Sequence, residues 1–247
     1  MLPILAIFVL CASTINCISH DLPDYFPRCS IDDPNLNKCL LKAFTTVRPY
    51  VKKGVKEIGI LPFEPLVLST FSLSQETNLA NFTVTASNFS VRGIDNYNVK
   101  ETNYNPNTLV FSTKMEFDPL SFSTIYKMFG RILHIAIDGK GEAEAALGPI
   151  NATIVIKGEL IDTEGTEYYN TANIKVILSI KDGNFTLGGL FGGDETLGRA
   201  ANEALNQFSP EVIEAVTPAI EQLAEEMIMK FMKSFTGSVP YYKIFPK

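Results

Sequence analysis

The chain has 247 residues, of which 46% are hydrophobic and 19% charged, with a formal net charge of −6. That length suits one large domain or two small ones, with apolar side chains enough for a sizeable core and less charge than the quarter or so of a typical globular chain. An acidic chain with no basic cluster excludes binding to nucleic-acid phosphates, and no polybasic segment is present to hold an anionic membrane.

The chain begins with an apolar run, Leu2 to Leu10, followed by small and polar residues up to Ser19. The run is too short to span a bilayer, which takes roughly 20 apolar residues. It reads as a secretory signal over residues 1–19, cleaved at 17–19, with a single domain over 20–247. Cys11 and Cys17 fall in that signal, which leaves Cys29 and Cys39. In an oxidising compartment the two are expected to form one disulfide. Four sequons fit the same compartment: Asn81-Phe-Thr, Asn88-Phe-Ser, Asn151-Ala-Thr and Asn184-Phe-Thr.

A helical pattern starts after Asp32-Asp33-Pro34. Leu36, Leu40, Phe44, Val47, Val51, Val55 and Ile58 recur near a period of 3.6, while Lys42, Lys52, Lys53 and Lys56 take other faces. Pro49 predicts a kink or break, and Gly54 or Gly59 the end. From about Leu66 to Leu187 the period becomes two. Phe82, Val84 and Ala86 alternate with polar residues. So do Leu109, Phe111, Met115 and Phe117; Leu133, Ile135 and Ile137; Ala143 and Ala145; and Ile174, Val176, Leu178 and Ile180. Each run reads as a strand with one wet face, the mark of antiparallel sheet. Turns are predicted at Arg92-Gly93, Asn105-Pro106, Asp138-Gly139, Gly148-Pro149, Glu164-Gly165 and Asp182-Gly183. Asn81, Asn151 and Asn184 share the polar phase of their strands, so a glycan there points away from the core.

A glycine-rich turn, Gly188 to Asp194, leads into a helix through Leu197, Ala201 and Leu205. Ser209-Pro210-Glu211 is predicted to cap a longer helix. Val212, Ile213, Val216, Ala219, Ile220, Leu223, Ala224, Met227, Ile228, Phe231, Met232 and Phe235 give it a wide apolar stripe. Pro218 predicts a bend, and Lys230 and Lys233 are expected near its C-terminal end. The tail, Val239-Pro240-Tyr241-Tyr242 to Phe245-Pro246, reads as an extended packed segment.

Catalytic chemistry has little to build on. Of two histidines, His20 lies at the expected mature terminus and His134 in a predicted strand. There is no nucleophile elbow, no phosphate-binding loop and no metal constellation. Glu142 and Glu144, on one strand face, read as solubility charges. The expectation is a non-enzyme without cofactor or metal.

Short pieces in fixed order then resemble the takeout and juvenile-hormone-binding proteins of insects. They are Leu22-Pro23-Asp24-Tyr25-Phe26 before Cys29 and Cys39; Ile125-Tyr126 with Gly130-Arg131-Ile132-Leu133 and Asp138-Gly139-Lys140-Gly141; Leu190-Phe191-Gly192-Gly193-Asp194 with Leu197-Gly198, Asn202, Leu205 and Asn206; and Val239-Pro240 with Ile244-Phe245-Pro246. The resemblance implies an α+β fold of the tubular lipid-binding kind: a long C-terminal helix wrapped by a strongly curved antiparallel sheet, with a second, N-terminal helix. It implies a secreted carrier, monomeric, with an internal tunnel for an elongated apolar molecule such as a terpenoid hormone or a fatty-acyl chain, and a link to circadian, feeding or chemosensory physiology. No cysteine pair remains for the second disulfide of the haemolymph hormone carriers, which favours the takeout branch. Strand and helix phase nominate Phe44, Val47, Val51, Phe111, Met115, Phe117, Ile135, Ile137, Val176, Leu178, Ile180, Ile220, Leu223, Met227 and Phe231 as tunnel candidates. The alternative is a secreted signalling protein that acts through a cell-surface receptor and whose cavity is incidental.

Overall fold

A computed structural model describes residues 21–247; the predicted signal segment and His20 lie outside the described residues. Helix α1 spans Leu36–Lys53 and is followed by nine strands: β1 (Leu66–Glu76), β2 (Ala80–Arg92), β3 (Tyr97–Asn105), β4 (Val110–Phe117), β5 (Leu120–Ile132), β6 (Ile135–Leu147), β7 (Ile150–Thr163), β8 (Thr166–Ile180) and β9 (Gly183–Leu187). Helices α2 (Glu195–Gln207), α3 (Ser209–Ser238) and α4 (Tyr241–Ile244) close the chain. The strands pair antiparallel in two sheets, ordered β1-β2-β5-β6-β9 and β3-β4-β7-β8. Helix α3, about 45 Å long at 1.5 Å per residue, packs against β8 of one sheet and β1, β5 and β9 of the other. This is the expected α+β arrangement, with the wrapping sheet divided in two.

Two open sheets leave edges with unpaired peptide groups, which attract other chains unless covered. At β9 and β8 helix side chains cover them. At edge strand β9, the Asn206 carboxamide accepts from Phe185 N–H and donates to Phe185 O, both at 2.8 Å. One helical turn earlier, Asn202 does the same for Leu187, at 2.8 and 2.9 Å. Each amide thus stands in for a neighbouring strand. At edge strand β8, Glu225 Oε1 accepts from Val176 N–H at 3.0 Å and Glu221 Oε1 from Leu178 N–H at 2.8 Å. The i, i+4 spacing of both pairs puts them on one helix face, and the i, i+2 spacing of their partners is the strand period.

Several local expectations give way to tertiary structure. Leu133 and His134 form the two-residue turn between β5 and β6, with Ile132 paired to Ile135. Leu133 takes φ 53° there, a conformation leucine rarely adopts, and packs partly against the core. That contact extends the apolar alternation past the true strand end and gives His134 its false strand assignment; His134 is exposed in the turn. Asp138-Gly139, expected as a turn, lies inside β6. Gly139 is there for close approach: a Cβ would sit 2.6 Å from the Tyr126 hydroxyl and 2.8 Å from Leu190 Cδ2. The Gly188–Leu190 segment runs antiparallel beside the strand at that point, bridged to Gly139.

Helix α1 runs unbroken through Pro49 and ends before Gly54. Helix α3 likewise contains Pro218 and continues to Ser238, beyond Lys230 and Lys233, so those lysines do not occupy its last turn. Ser209 is not its cap; its hydroxyl donates to Gly183 O at 2.6 Å. Helix α2 has the side-chain cap, Asp194, whose carboxylate accepts from Thr196 and Leu197 N–H. The tail is a helical turn, α4, rather than extended, and Val239 and Tyr241 are buried.

Candidate functional site

The two halves of α3 are packed differently. In the first half Val212, Ile213, Ala215 and Ala219 are buried, whereas no residue from Ile220 to Phe235 is. The inward residues of that second half, Ile220, Leu223, Ala224, Met227, Ile228, Phe231, Met232 and Phe235, all keep part of their surface accessible. Yet each packs against a cluster of buried side chains from the surrounding sheets, α1 or the tail. Close-packed interiors leave few voids larger than a water molecule. A continuous stripe of inward, partly accessible apolar groups therefore sets the second half of α3 apart from the first.

Aromatic contacts gather in three parts of the structure. On α1, Phe44 lies 6.2 Å from the Phe111 ring and edge-on to Tyr97 at 6.5 Å. On the five-stranded sheet, Phe71 meets Phe89 edge to face at 5.1 Å, and Phe89 meets Phe122 at 6.0 Å. Before β1, Phe63 lies 5.9 Å from Phe231, which in turn stacks on Phe235 at 6.1 Å.

The nominated residues divide into two sets. Phe44, Val47, Phe111, Phe117, Ile135, Leu178, Ile180, Ile220, Leu223, Met227 and Phe231 are partly accessible, whereas Val51, Met115, Ile137 and Val176 are buried, all but Met115 within packed clusters. Ile220, Met227, Phe117, Leu178 and Ile180 share one cluster; Val47, Val51 and Phe231 another; Ile135, Ile137 and Leu223 a third. Phe63, Phe71, Phe89, Phe122 and Phe235 were missed. Phe71 and Phe122 were legible from alternation with serine and threonine. Phe89 was not, because a bulge between Ser87 and Ser90, with Asn88 at φ 53°, shifts the strand phase by one.

Around the disulfide the interior is packed with aromatic side chains. Cys29 and Cys39 are joined, with Cα atoms 5.8 Å apart, and Cys29, Leu36, Tyr104, Ile156, Tyr169, Ile174, Val176 and Tyr241 form a buried cluster. The hydroxyls of Tyr104 and Tyr241 are 2.8 Å apart, and Tyr104 stacks on Phe245 at 4.7 Å. Burial, with Tyr241 beside it, raises the Tyr104 hydroxyl well above the usual tyrosine range and pushes Tyr169 up to about 12. Tyr97 is raised by burial too, against the pull of Arg48, whose guanidinium lies 4.4 Å over its ring and donates to its carbonyl. Among the described residues, two buried polar side-chain atoms lack a hydrogen-bond partner, Arg48 Nε and Thr171 Oγ1.

All four sequon asparagines, Asn81, Asn88, Asn151 and Asn184, are exposed. Among the described residues no helix is long and apolar enough to cross a membrane, and no group of three or more His, Cys, Asp or Glu is placed to hold a metal ion.

A family model described as haemolymph juvenile hormone binding protein (JHBP) matches residues 4–246. The circadian clock-controlled protein daywake of Drosophila yakuba is 23% identical over 235 residues, covering 92% of this chain and 89% of that one. The crystal structure of Epiphyas postvittana Takeout 1 superposes with a TM-score of 0.75 at 22% identity, covering 90% of this chain and all of that one.

Proposed function

Because the chain belongs to the haemolymph juvenile hormone binding protein family, we propose that it is a secreted carrier that holds one elongated hydrophobic molecule beside the second half of α3. The observation that carries this reading is the contrast within α3: up to Ala219 the inward apolar residues are buried except Val216, and beyond it comes an unbroken run of inward apolar residues with accessible surface. The partly accessible set, from Phe44 and Phe111 to Met227 and Phe231, would line the tunnel. Val51, Met115, Ile137 and Val176 would form the wall behind it. Met227 and Met232 along the same helix suit such a lining, because thioether side chains adapt to irregular apolar shapes. Burying an acyl or isoprenoid chain gains about 0.8 kcal/mol per CH₂, so a lining of this kind binds without specific chemistry.

The expected signal segment, the sequons and the Cys29–Cys39 bridge support export, and the lack of a second cysteine pair beyond that segment supports a ligand other than juvenile hormone itself. A monomer that delivers its cargo to a cell-surface receptor, in circadian, feeding or chemosensory physiology, is the physiological form of this proposal; the relative named as clock-controlled supports the circadian branch.

Blocking the tunnel tests it. Leu223→Trp and Met227→Trp are expected to keep the wild-type circular dichroism and to lose uptake of a fluorescent long-chain fatty acid. Undiminished uptake in both folded variants would remove the tunnel from the proposal. Receptor binding by ligand-free protein, unaffected by both substitutions, would favour the signalling alternative.

A further inference from the structure

The outer faces of the two sheets carry large apolar side chains with no protein cover. Among the described residues, those within strands are Val67, Ile125, Phe129, Ile161 and Ile177; Phe129 is 71% exposed, Ile177 55% and Val67 51%. Single exposed apolar residues need no explanation, but their positions here do. Thr83, the hydroxyl residue of the Asn81 sequon, pairs directly with Phe129. Thr153, the hydroxyl residue of the Asn151 sequon, pairs directly with Ile177. Ser90, the hydroxyl residue of the Asn88 sequon, pairs directly with Val67. The fourth sequon departs from this pattern: Thr186 pairs with Glu144.

A sequon in a strand places its Asn and its Ser or Thr on the same face, two residues apart. The side chain opposite the hydroxyl residue is then the diagonal neighbour of the Asn, about 7–8 Å away and within reach of a long substituent. Asn81 itself faces Arg131, and Asn151 faces Ser179, so the diagonal position is where each apolar side chain stands. A pyranose ring has one face of C–H groups, which lies well against an aromatic ring or a branched aliphatic chain. Covering that carbon removes apolar surface from water.

We propose that N-glycans on Asn81 and Asn151 fold back onto the sheet, with the first sugar of each resting on Phe129 and Ile177. The glycans are then part of the outer surface of the fold, covering apolar groups that would otherwise face solvent. Val67 stands opposite Ser90 in the same way, but Asn88 lies in the bulge of β2 with no ladder partner and is not part of this arrangement. This inference rests on the reading that the chain is exported, since sugars are attached only on that route.

The full chain is expressed in insect cells, and site occupancy is read by peptide mass. Thermal unfolding is then compared for four proteins: wild type, Asn81→Gln, Phe129→Ser and the double variant. Loss of the Asn81 glycan is expected to lower Tm by roughly 2–4 °C when Phe129 is present, the size one aromatic contact produces in a domain of this length. In the Phe129→Ser background the same loss should move Tm by less than about 1 °C. Trimming the wild-type glycan to its first N-acetylglucosamine should leave Tm unchanged and keep that sugar's protons shifted by the Phe129 ring current. An occupied Asn81 whose removal costs the same with and without Phe129 overturns the proposal and leaves export standing. A chain released from the cells with Asn81 and Asn151 bare also overturns the proposal alone. A chain retained in the cytoplasm and bare at every sequon overturns both.

Discussion

Asn206 is the most exacting test of how the sheet edges are held. Its carboxamide makes three contacts at 2.8 Å: it accepts from Phe185 N–H, donates to Phe185 O and donates to Asn202 O. Asn206→Ala strips both peptide groups of Phe185 of their partner at the outer edge of β9. A net hydrogen bond contributes about 1 kcal/mol, and a group left unpaired and partly shielded costs more, so the variant should lose roughly 2–4 kcal/mol. At about 2–4 °C per kcal/mol in a domain of this size, Tm should fall by roughly 4–16 °C. Asn206→Asp keeps the acceptor for Phe185 N–H and loses both donors, so it should fall between. Amide exchange localises the effect: the Phe185 amide should exchange faster in the alanine variant and stay protected in the aspartate variant. An alanine variant within about 0.5 kcal/mol of wild type, with unchanged exchange at Phe185, would refute edge-pairing by the carboxamides.

Further outcomes follow from other parts of the fold. Replacing Cys29 and Cys39 by serine opens a bridge between positions ten apart in sequence. It should cost about 2–3 kcal/mol, seen as a lower Tm that reducing agent no longer changes. Thr171 Oγ1 is buried with no partner, so Thr171→Val should be neutral or stabilise by about 1 kcal/mol in chemical denaturation. If instead it destabilises the ligand-free protein, the hydroxyl has a structural partner. Tyr169 is held by burial up to about 12, above its ordinary 10.0. The folded chain then keeps a proton that the unfolded chain releases, so this contribution is complete below pH 10 and is lost as pH rises from 10 towards 12. Tm should decline across that window, and Tyr169→Phe should make the decline shallower; an unchanged slope would count against burial as its cause.

The sequence made the coarse order of the fold legible because each element has one buried face. Leu66 and Leu187, where the alternating pattern was expected to begin and end, are the first residue of β1 and the last of β9. Ile174, Val176, Leu178 and Ile180 face inward, and the sequon asparagines face out, because a strand's two faces cannot exchange without a register slip. What was not legible depends on contacts distant in sequence. Leu133 looks like a strand residue because it is apolar, but the pairing of Ile132 with Ile135 makes it a turn. Gly139 looks like a turn residue but belongs to a strand against which Leu190 packs closely. Asn202, Asn206, Glu221 and Glu225 look like surface polar residues of helices; their work on β8 and β9 exists only once the helices dock. The tunnel candidates show the same limit. Phase separates inward from outward, and cannot separate Leu223, with accessible surface, from Ile137, which is 1% exposed.

Native mass spectrometry of the protein secreted by insect cells and extracted gently measures the central claim most directly. A carrier should arrive with one apolar molecule per chain, released on denaturation and replaced by added fatty acid or terpenoid ester in the same one-to-one ratio. A chain that arrives empty and refuses every such ligand would contradict the account.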